Sequence, residues 1–138
     1  VRDLIQGVFN SMRIKSSGNG AMRIEEDVED LLLPTNLAIH VGIITNELLT
    51  NCRKYAAPGA DGASVAVRVG ASEDHTRADL QQLELIVADG GEGIPDDVLS
   101  EKRWGTGLKI AEALAHQHGG AMEIDNSNGT SVHIRIPL

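Results

Sequence analysis

Aromatic side chains are almost absent from this chain: Phe9, Tyr55 and Trp104 are the whole supply, 2% of 138 residues. The core must therefore be aliphatic, and successive bases of a single nucleic-acid strand would find no platforms to stack on. Basic residues are scarce beside acidic ones, with 12 Lys and Arg against 20 Asp and Glu and a formal net charge of -8. That balance argues against nucleic acid as a partner, and any anionic ligand must be met by locally arranged donors. Cys52 is the single cysteine, so no internal disulfide can form and a reducing, cytoplasmic setting is expected. No apolar run reaches membrane-spanning length and no signal-like segment is present, so these residues are not expected to contact a membrane directly. Val1 opens a patterned segment without a start methionine, the expectation being a domain cut from a longer protein. Any membrane anchor or sensory part would then lie upstream.

With 41% hydrophobic residues the chain can build one domain, residues 1–138, and is too short for two. Leu4, Ile5, Val8, Phe9 and Met12 recur at helical spacing, which predicts an amphipathic helix over 2–13 that ends in the Ser- and Gly-rich stretch 16–20. Residues 22–28 and 31–33 read as extended. Pro34 then opens a long helix reaching about Ala56, where Thr35 or Asn36 can cap the free amides. Leu37, Val41, Ile44, Leu48, Cys52 and Tyr55 make its buried stripe, and Pro58 and Gly59 stop it.

Val65, Val67 and Val69 alternate with Ala66 and Arg68 in a half-buried strand over 64–69, and the polar stretch 72–79 reads as a surface loop. In the next strand, 83–89, Leu83, Leu85, Val87 and Asp89 share one face, so an aspartate points where the leucines point. A helix over about 106–118 is ended by Gly119 and Gly120, and strands over 121–124 and 131–137 flank a turn at 126–129. Strands and helices do not alternate strictly, so the expected fold is α+β. It is a two-layer α/β sandwich: a mixed sheet of about five strands with three main helices on one face.

Three groups of residues carry chemistry. Glu47, Asn51 and Lys54 are spaced by four and three, which lines them up on one face of an otherwise apolar helix. A carboxylate, an amide and an ammonium in a row suit a metal ion, a water and a phosphate; taken alone they read first as a solvated face. Asp89, Gly91 and Gly93 stand in DGGEGIP at the end of a strand. A carboxylate there only accepts hydrogen bonds, so it favours the exocyclic amine of adenine and repels the carbonyl oxygen of guanine, while the glycines allow a close backbone approach. A strand-end aspartate closing a glycine turn is the plainer alternative. Gly105, Thr106 and Gly107 open a helix in GTGLKI, where free amides unhindered by side chains make a phosphate site or simply a glycine-rich helix start. Between the glycine groups, IPDDVLSEKRW reads as a lid or as a plain surface loop, with Lys102 and Arg103 available to phosphate oxygens and Trp104 as an anchor. The five histidines, His40, His75, His116, His118 and His133, show no metal-site spacing and are read as surface or helix-packing residues.

Taken in order, NELLTNCRKYA, VADGGEGIP, GTGLKIAEALAHQHGG and NGTSVHIRIPL resemble the ATP-binding catalytic domain of sensor histidine kinases. The wider group includes gyrase, Hsp90 and MutL and has the Bergerat ATP-binding fold. Within it the helix box is most similar to the HisKA_2 group, from which Cys52 and Arg53 depart. The HWE group would have a histidine at Asn46 and a tryptophan near the first glycine box.

The resemblance implies ATP and Mg2+ as cofactors. By it, Asn51 would hold the magnesium, Glu47 would orient a water or take part in proton transfer, Lys54 would reach a phosphate and Tyr55 would line the pocket. Asp89 would recognise adenine, with Gly91, Gly93 and Ile94 shaping its slot. Lys102, Arg103, Gly105, Thr106, Gly107 and Leu108 would border the phosphates, and Thr130 would help to hold the base through a water. The γ-phosphoryl group would pass to a histidine on a separate helical dimerisation and phosphoacceptor domain, with a response regulator downstream. None of the histidines here has such a context, and the phenylalanine-containing box of many sensor kinases is missing from the lid. The alternatives are an anti-sigma-factor-type serine kinase and a non-catalytic kinase-like scaffold.

Overall fold

The computed structural model describes residues 23–55, 64–74, 77–89, 106–125 and 130–138. Their elements are β1 (Arg23–Val28), α1 (Thr35–Tyr55), β2 (Ser64–Asp74), β3 (Arg77–Asp89), α2 (Thr106–Gln117), β4 (Ala121–Asp125) and β5 (Ser131–Pro137). The strands form one mixed five-stranded sheet of order β1-β2-β3-β5-β4. Only β1 and β2 are parallel; the remaining pairs are antiparallel. Parallel neighbours need a crossover, and α1 supplies it. The helix expected over 2–13 lies outside the described residues, so the helical layer seen here is α1 and α2. No helix among the described residues is long and apolar enough to cross a membrane.

Period-two alternation decides which face of the sheet the helices cover. Val65, Val67 and Val69 of β2, Leu83, Leu85 and Val87 of β3, and Val132, Ile134 and Ile136 of β5 are all buried. They stand in register, Val69 beside Leu85 beside Ile134 and Val67 beside Val87 beside Val132, so three strands present one continuous aliphatic surface. Onto it pack Leu37, Val41, Ile44, Leu48 and Leu49 of α1 and Leu108, Ala111 and Ala115 of α2. Thr45 is buried within the α1 stripe, and its hydroxyl donates to the Val41 carbonyl at 2.7 Å, so it brings no unsatisfied group into the core.

On the opposite face, each strand contributes one charge of alternating sign. Asp27, Arg68, Glu84, Arg135 and Glu123 form a ladder across β1, β2, β3, β5 and β4, with closest N···O separations of 3.0, 3.6, 3.7 and 3.4 Å. Such pairs at solvent-facing positions contribute about 0–1 kcal/mol each. Their main consequence is a face that stays polar where no helix covers it.

Two expectations are corrected. The stretch 72–79 is mostly a hairpin arm rather than a surface loop: β2 and β3 pair through Ser72↔Gln82, Glu73↔Gln81 and Asp74↔Arg77, with a register irregularity at Glu73/Asp74. Backbone ladders do not need an apolar face, and the Gln82 side-chain amide adds a bond to Ser72 Oγ at 3.2 Å. Residues 31–33 are not a strand. The β1 ladder ends where the Glu29 amide donates to Val69 O, and Leu31 turns back to donate to Glu29 O. Leu31 and Leu33 still pack on the core while Leu32 is fully exposed, which is strand-like alternation without a partner strand.

Helix ends follow local chemistry. The Ala38 amide donates to Pro34 O, and Asn36 Oδ1 accepts from the Leu37 amide at 2.9 Å, meeting one of the free donors of α1. At the end of α2, Gly120 N donates to Ala115 O (2.8 Å) and Gly119 N to His116 O (3.0 Å), a Schellman closure with Gly119 at φ 76°. Next to this turn His118 meets His40 of α1, Nε2 to Nδ1 at 2.7 Å, one ring donating and the other accepting. The two helices are thus pinned at one end by imidazoles 78 positions apart in sequence.

Candidate nucleotide site

Asp89 is the last residue of β3, across from Val65 on β2, and its side chain faces the core with only 7% of the residue exposed. Its backbone amide donates to Thr130 O at 2.9 Å, and its Oδ1 receives the Thr130 amide at 3.4 Å. Thr130 itself is buried. Thr130, the residue that leads into β5, thus meets both the Asp89 backbone and one oxygen of its carboxylate. Taking a carboxylate out of water costs several kcal/mol unless hydrogen bonds compensate. An apolar residue would cap this row of the sheet without that cost.

Glu47 and Asn51 lie one turn apart on the C-terminal half of α1, both partly buried. Leu48 and Leu49, beside Glu47, are buried, so the helix is held rigidly on the sheet there. Gly107, in the first turn of α2, faces this point. A Cβ built on it would lie 2.7 Å from Glu47 Oε2 and 3.7 Å from both Glu47 Cβ and the Glu47 carbonyl oxygen. A side chain at position 107 would displace the end of the flexible Glu47 side chain, so glycine leaves the carboxylate free to rest against the first turn of α2. Leu108 points into the core, so only its backbone is available to a ligand.

These contacts fix the arrangement. Glu47 meets Gly107 and His40 meets His118, so α1 and α2 run antiparallel. Asp89, Thr130, Glu47 and the free amides of α2 all belong to one end of the domain. The other end holds a cleft of about 590 Å³ lined by Leu31, Leu33, Leu37, His118, Pro137 and Leu138. A second cleft, about 420 Å³, lies on the open sheet face over Ala66, Ile86 and Ala88. Neither contains Glu47, Asn51, Asp89 or Gly107.

Of the other residues singled out in the sequence, Gly91, Gly93, Ile94, Lys102, Arg103 and Gly105 lie outside the described residues. Lys54 and Tyr55 are in the last turn of α1 and Thr106 is the first residue of α2, with their side chains outside what is described. Periodicity could not reveal the Glu47–Gly107 contact, because it joins two elements distant in sequence. The only signal was a glycine at the start of an apolar helix.

The donor set fits magnesium. Among the described residues no group of three or more His, Cys, Asp or Glu side chains could hold a metal ion by itself. Magnesium does not require such a cage: it keeps several waters and is commonly held by one or two protein oxygens plus substrate phosphates. The Asn51 amide oxygen and the Glu47 carboxylate are hard oxygen donors of that kind.

Comparison with known proteins gives the family and the fold. The histidine kinase-, DNA gyrase B- and HSP90-like ATPase family matches residues 36–138. Blue-light-activated histidine kinase 2 of Erythrobacter litoralis is 30% identical over 122 residues, covering 88% of this chain and 34% of that protein. The signal transduction histidine-protein kinase/phosphatase MprB of Mycolicibacterium smegmatis is 33% identical over 110 residues, covering 65% of this chain and 20% of the relative. The chain thus spans about a third or less of these relatives. Among solved structures, an Erythrobacter litoralis blue-light-activated histidine kinase superposes with a TM-score of 0.77 at 26% identity, over 96% of this chain and 40% of that one. The mycobacterial sensor histidine kinase MprB superposes with a TM-score of 0.70 at 25% identity, over 99% and 93%. With its relatives named as sensor histidine kinases and most of its length matched, the chain belongs to the histidine kinase-, DNA gyrase B- and HSP90-like ATPase family.

Proposed function

We propose that residues 1–138 form a catalytic domain that binds magnesium–ATP and presents its γ-phosphoryl group to a histidine on a separate helical phosphoacceptor domain, in cytoplasmic two-component signalling. A response regulator would receive the phosphoryl group afterwards. The observation that carries this reading is the clustering at one end of the fold of a buried carboxylate, Asp89, that accepts the Thr130 amide, with the Glu47–Gly107 contact. The names of the relatives favour a histidine over a serine acceptor and an active kinase over a scaffold.

In this reading Asp89 accepts a hydrogen bond from the exocyclic amine of adenine, with Thr130 holding its other oxygen and Gly91, Gly93 and Ile94 forming the slot around the base. Lys54, Lys102 and Arg103 donate to phosphate oxygens, Tyr55 lines the pocket, and the backbone at Gly105, Thr106, Gly107 and Leu108 offers amides to the phosphate chain. Bound magnesium would supply charge neutralisation at the phosphate oxygens. Asn51 would hold it by its amide oxygen, and Glu47 would orient a water beside it. No residue here forms a covalent intermediate. The contribution to rate is positioning and charge neutralisation of a phosphoryl group already primed to leave.

Titration calorimetry with a non-hydrolysable ATP analogue tests the metal assignment. For the unsubstituted chain, magnesium should tighten binding. In Asn51→Ala that gain should vanish, with affinity in magnesium falling about tenfold or more for the lost charge-assisted ligand. An Asn51→Ala protein with an unaltered magnesium response would remove Asn51 from the site.

A further inference from the structure

We infer that Glu47 makes this site discriminate against metal-free nucleotide, so that the magnesium complex is the form it selects. The inference rests on the nucleotide reading above and deepens it. The carboxylate is packed against the first turn of α2, its Oε2 2.7 Å from the position a Gly107 Cβ would occupy. That is the end of α2 whose free amides would receive the phosphate chain. Glu47 cannot retreat by moving its backbone, because Leu48 and Leu49 beside it are 1% and 0% exposed and anchor α1 on the sheet.

A polyphosphate without its cation therefore meets a negative charge beside the amides it needs as donors. With a divalent cation on the phosphates, the same carboxylate faces a positive centre, directly or through a water, and the repulsion is removed. Glu47 and Asn51 then make binding metal-dependent by opposite routes. Asn51 strengthens the magnesium-bound form, and Glu47 weakens the metal-free one. Gly107 is a positioning residue for this effect, since any side chain there would push the carboxylate aside.

The test is titration of the whole chain and of Glu47→Gln with the ATP analogue, once in excess chelator and once in excess magnesium, with adenosine as a ligand that has no phosphates. Glu47→Gln should tighten chelator-condition binding about tenfold, the scale expected for removing one nearby like charge at a partly screened site. Its affinity in magnesium should not rise, and adenosine binding should be unaltered. Glu47→Asp keeps the charge but withdraws it by one methylene, so its metal-free affinity should fall between the two. If the unsubstituted chain binds the magnesium complex and Glu47→Gln leaves the ratio of the two affinities unchanged, the inference is overturned while the nucleotide reading stands. If the unsubstituted chain binds no nucleotide in magnesium, both are overturned.

Discussion

Asp89→Asn should weaken binding of an adenine nucleotide by about a hundredfold or more, roughly 2.7 kcal/mol, without unfolding the domain. The substitution is nearly isosteric, and the new amide oxygen can still accept the Thr130 amide as Oδ1 does at 3.4 Å. The amide nitrogen must then take the place of Oδ2. A donor would face the exocyclic amine of adenine, itself a donor, in a position where the residue is only 7% exposed and water cannot easily intervene. A mismatched buried pair is costlier than a missing one, because both partners lose their hydration. The same reversal should erode any preference for adenine over guanine, since an amide donor suits the guanine carbonyl. Calorimetry with adenine and guanine nucleotides measures both effects, and an unaltered circular dichroism spectrum separates them from misfolding.

The second large effect concerns stability, and it should divide two neighbouring glycines. Gly120→Ala should destabilise the domain by about 3 kcal/mol or more, whereas Gly119→Ala should cost about 1–2 kcal/mol. Gly119 has φ 76° and nothing within 4 Å of a built Cβ, so alanine there meets backbone strain alone. At Gly120 a Cβ would run into the Arg135 carbonyl oxygen and would lie 2.8 Å from Ile136 Cγ1 and 3.0 Å from Ile136 Cα. Those atoms belong to β5, which is bonded to β3 and β4, so they cannot yield without disturbing the sheet. Urea unfolding of both variants gives the comparison. Equal losses would mean that close packing of the α2–β4 turn on β5 is not what requires glycine at position 120.

Much of the fold was legible because its physical causes are local. The aliphatic alternation of Val65, Val67 and Val69 and of Leu83, Leu85 and Val87 marks the buried sheet face, and the same parity places Asp89 among the core residues. The stripe Leu37, Val41, Ile44 and Leu48 likewise identified α1 and its buried side. Residues 31–33 misled for the converse reason, since burial alternated in a segment with no strand to pair with. The hairpin arms at Ser72 and Gln82 were missed because their partners are backbone groups, which leave no hydrophobic signature. At the site, residue types pointed to Glu47 and Asp89 one element at a time. That Glu47 rests against Gly107, and that Thr130 holds Asp89, are properties of the packed chain, set by helix and strand neighbours that no spacing rule connects.

The end of the domain bearing Asp89, Glu47 and Gly107 is proposed as an adenine-nucleotide site. That assignment is tested most directly by titrating the 138-residue chain with non-hydrolysable ATP and GTP analogues in magnesium and following backbone amide shifts by NMR. The expected result is saturable binding of the ATP analogue, weaker binding of the GTP analogue, and perturbations centred on Asp89, Thr130, Asn51 and Gly107. Perturbations confined to the Leu31–Leu138 cleft at the other end of the domain, or no response to either nucleotide, would contradict it.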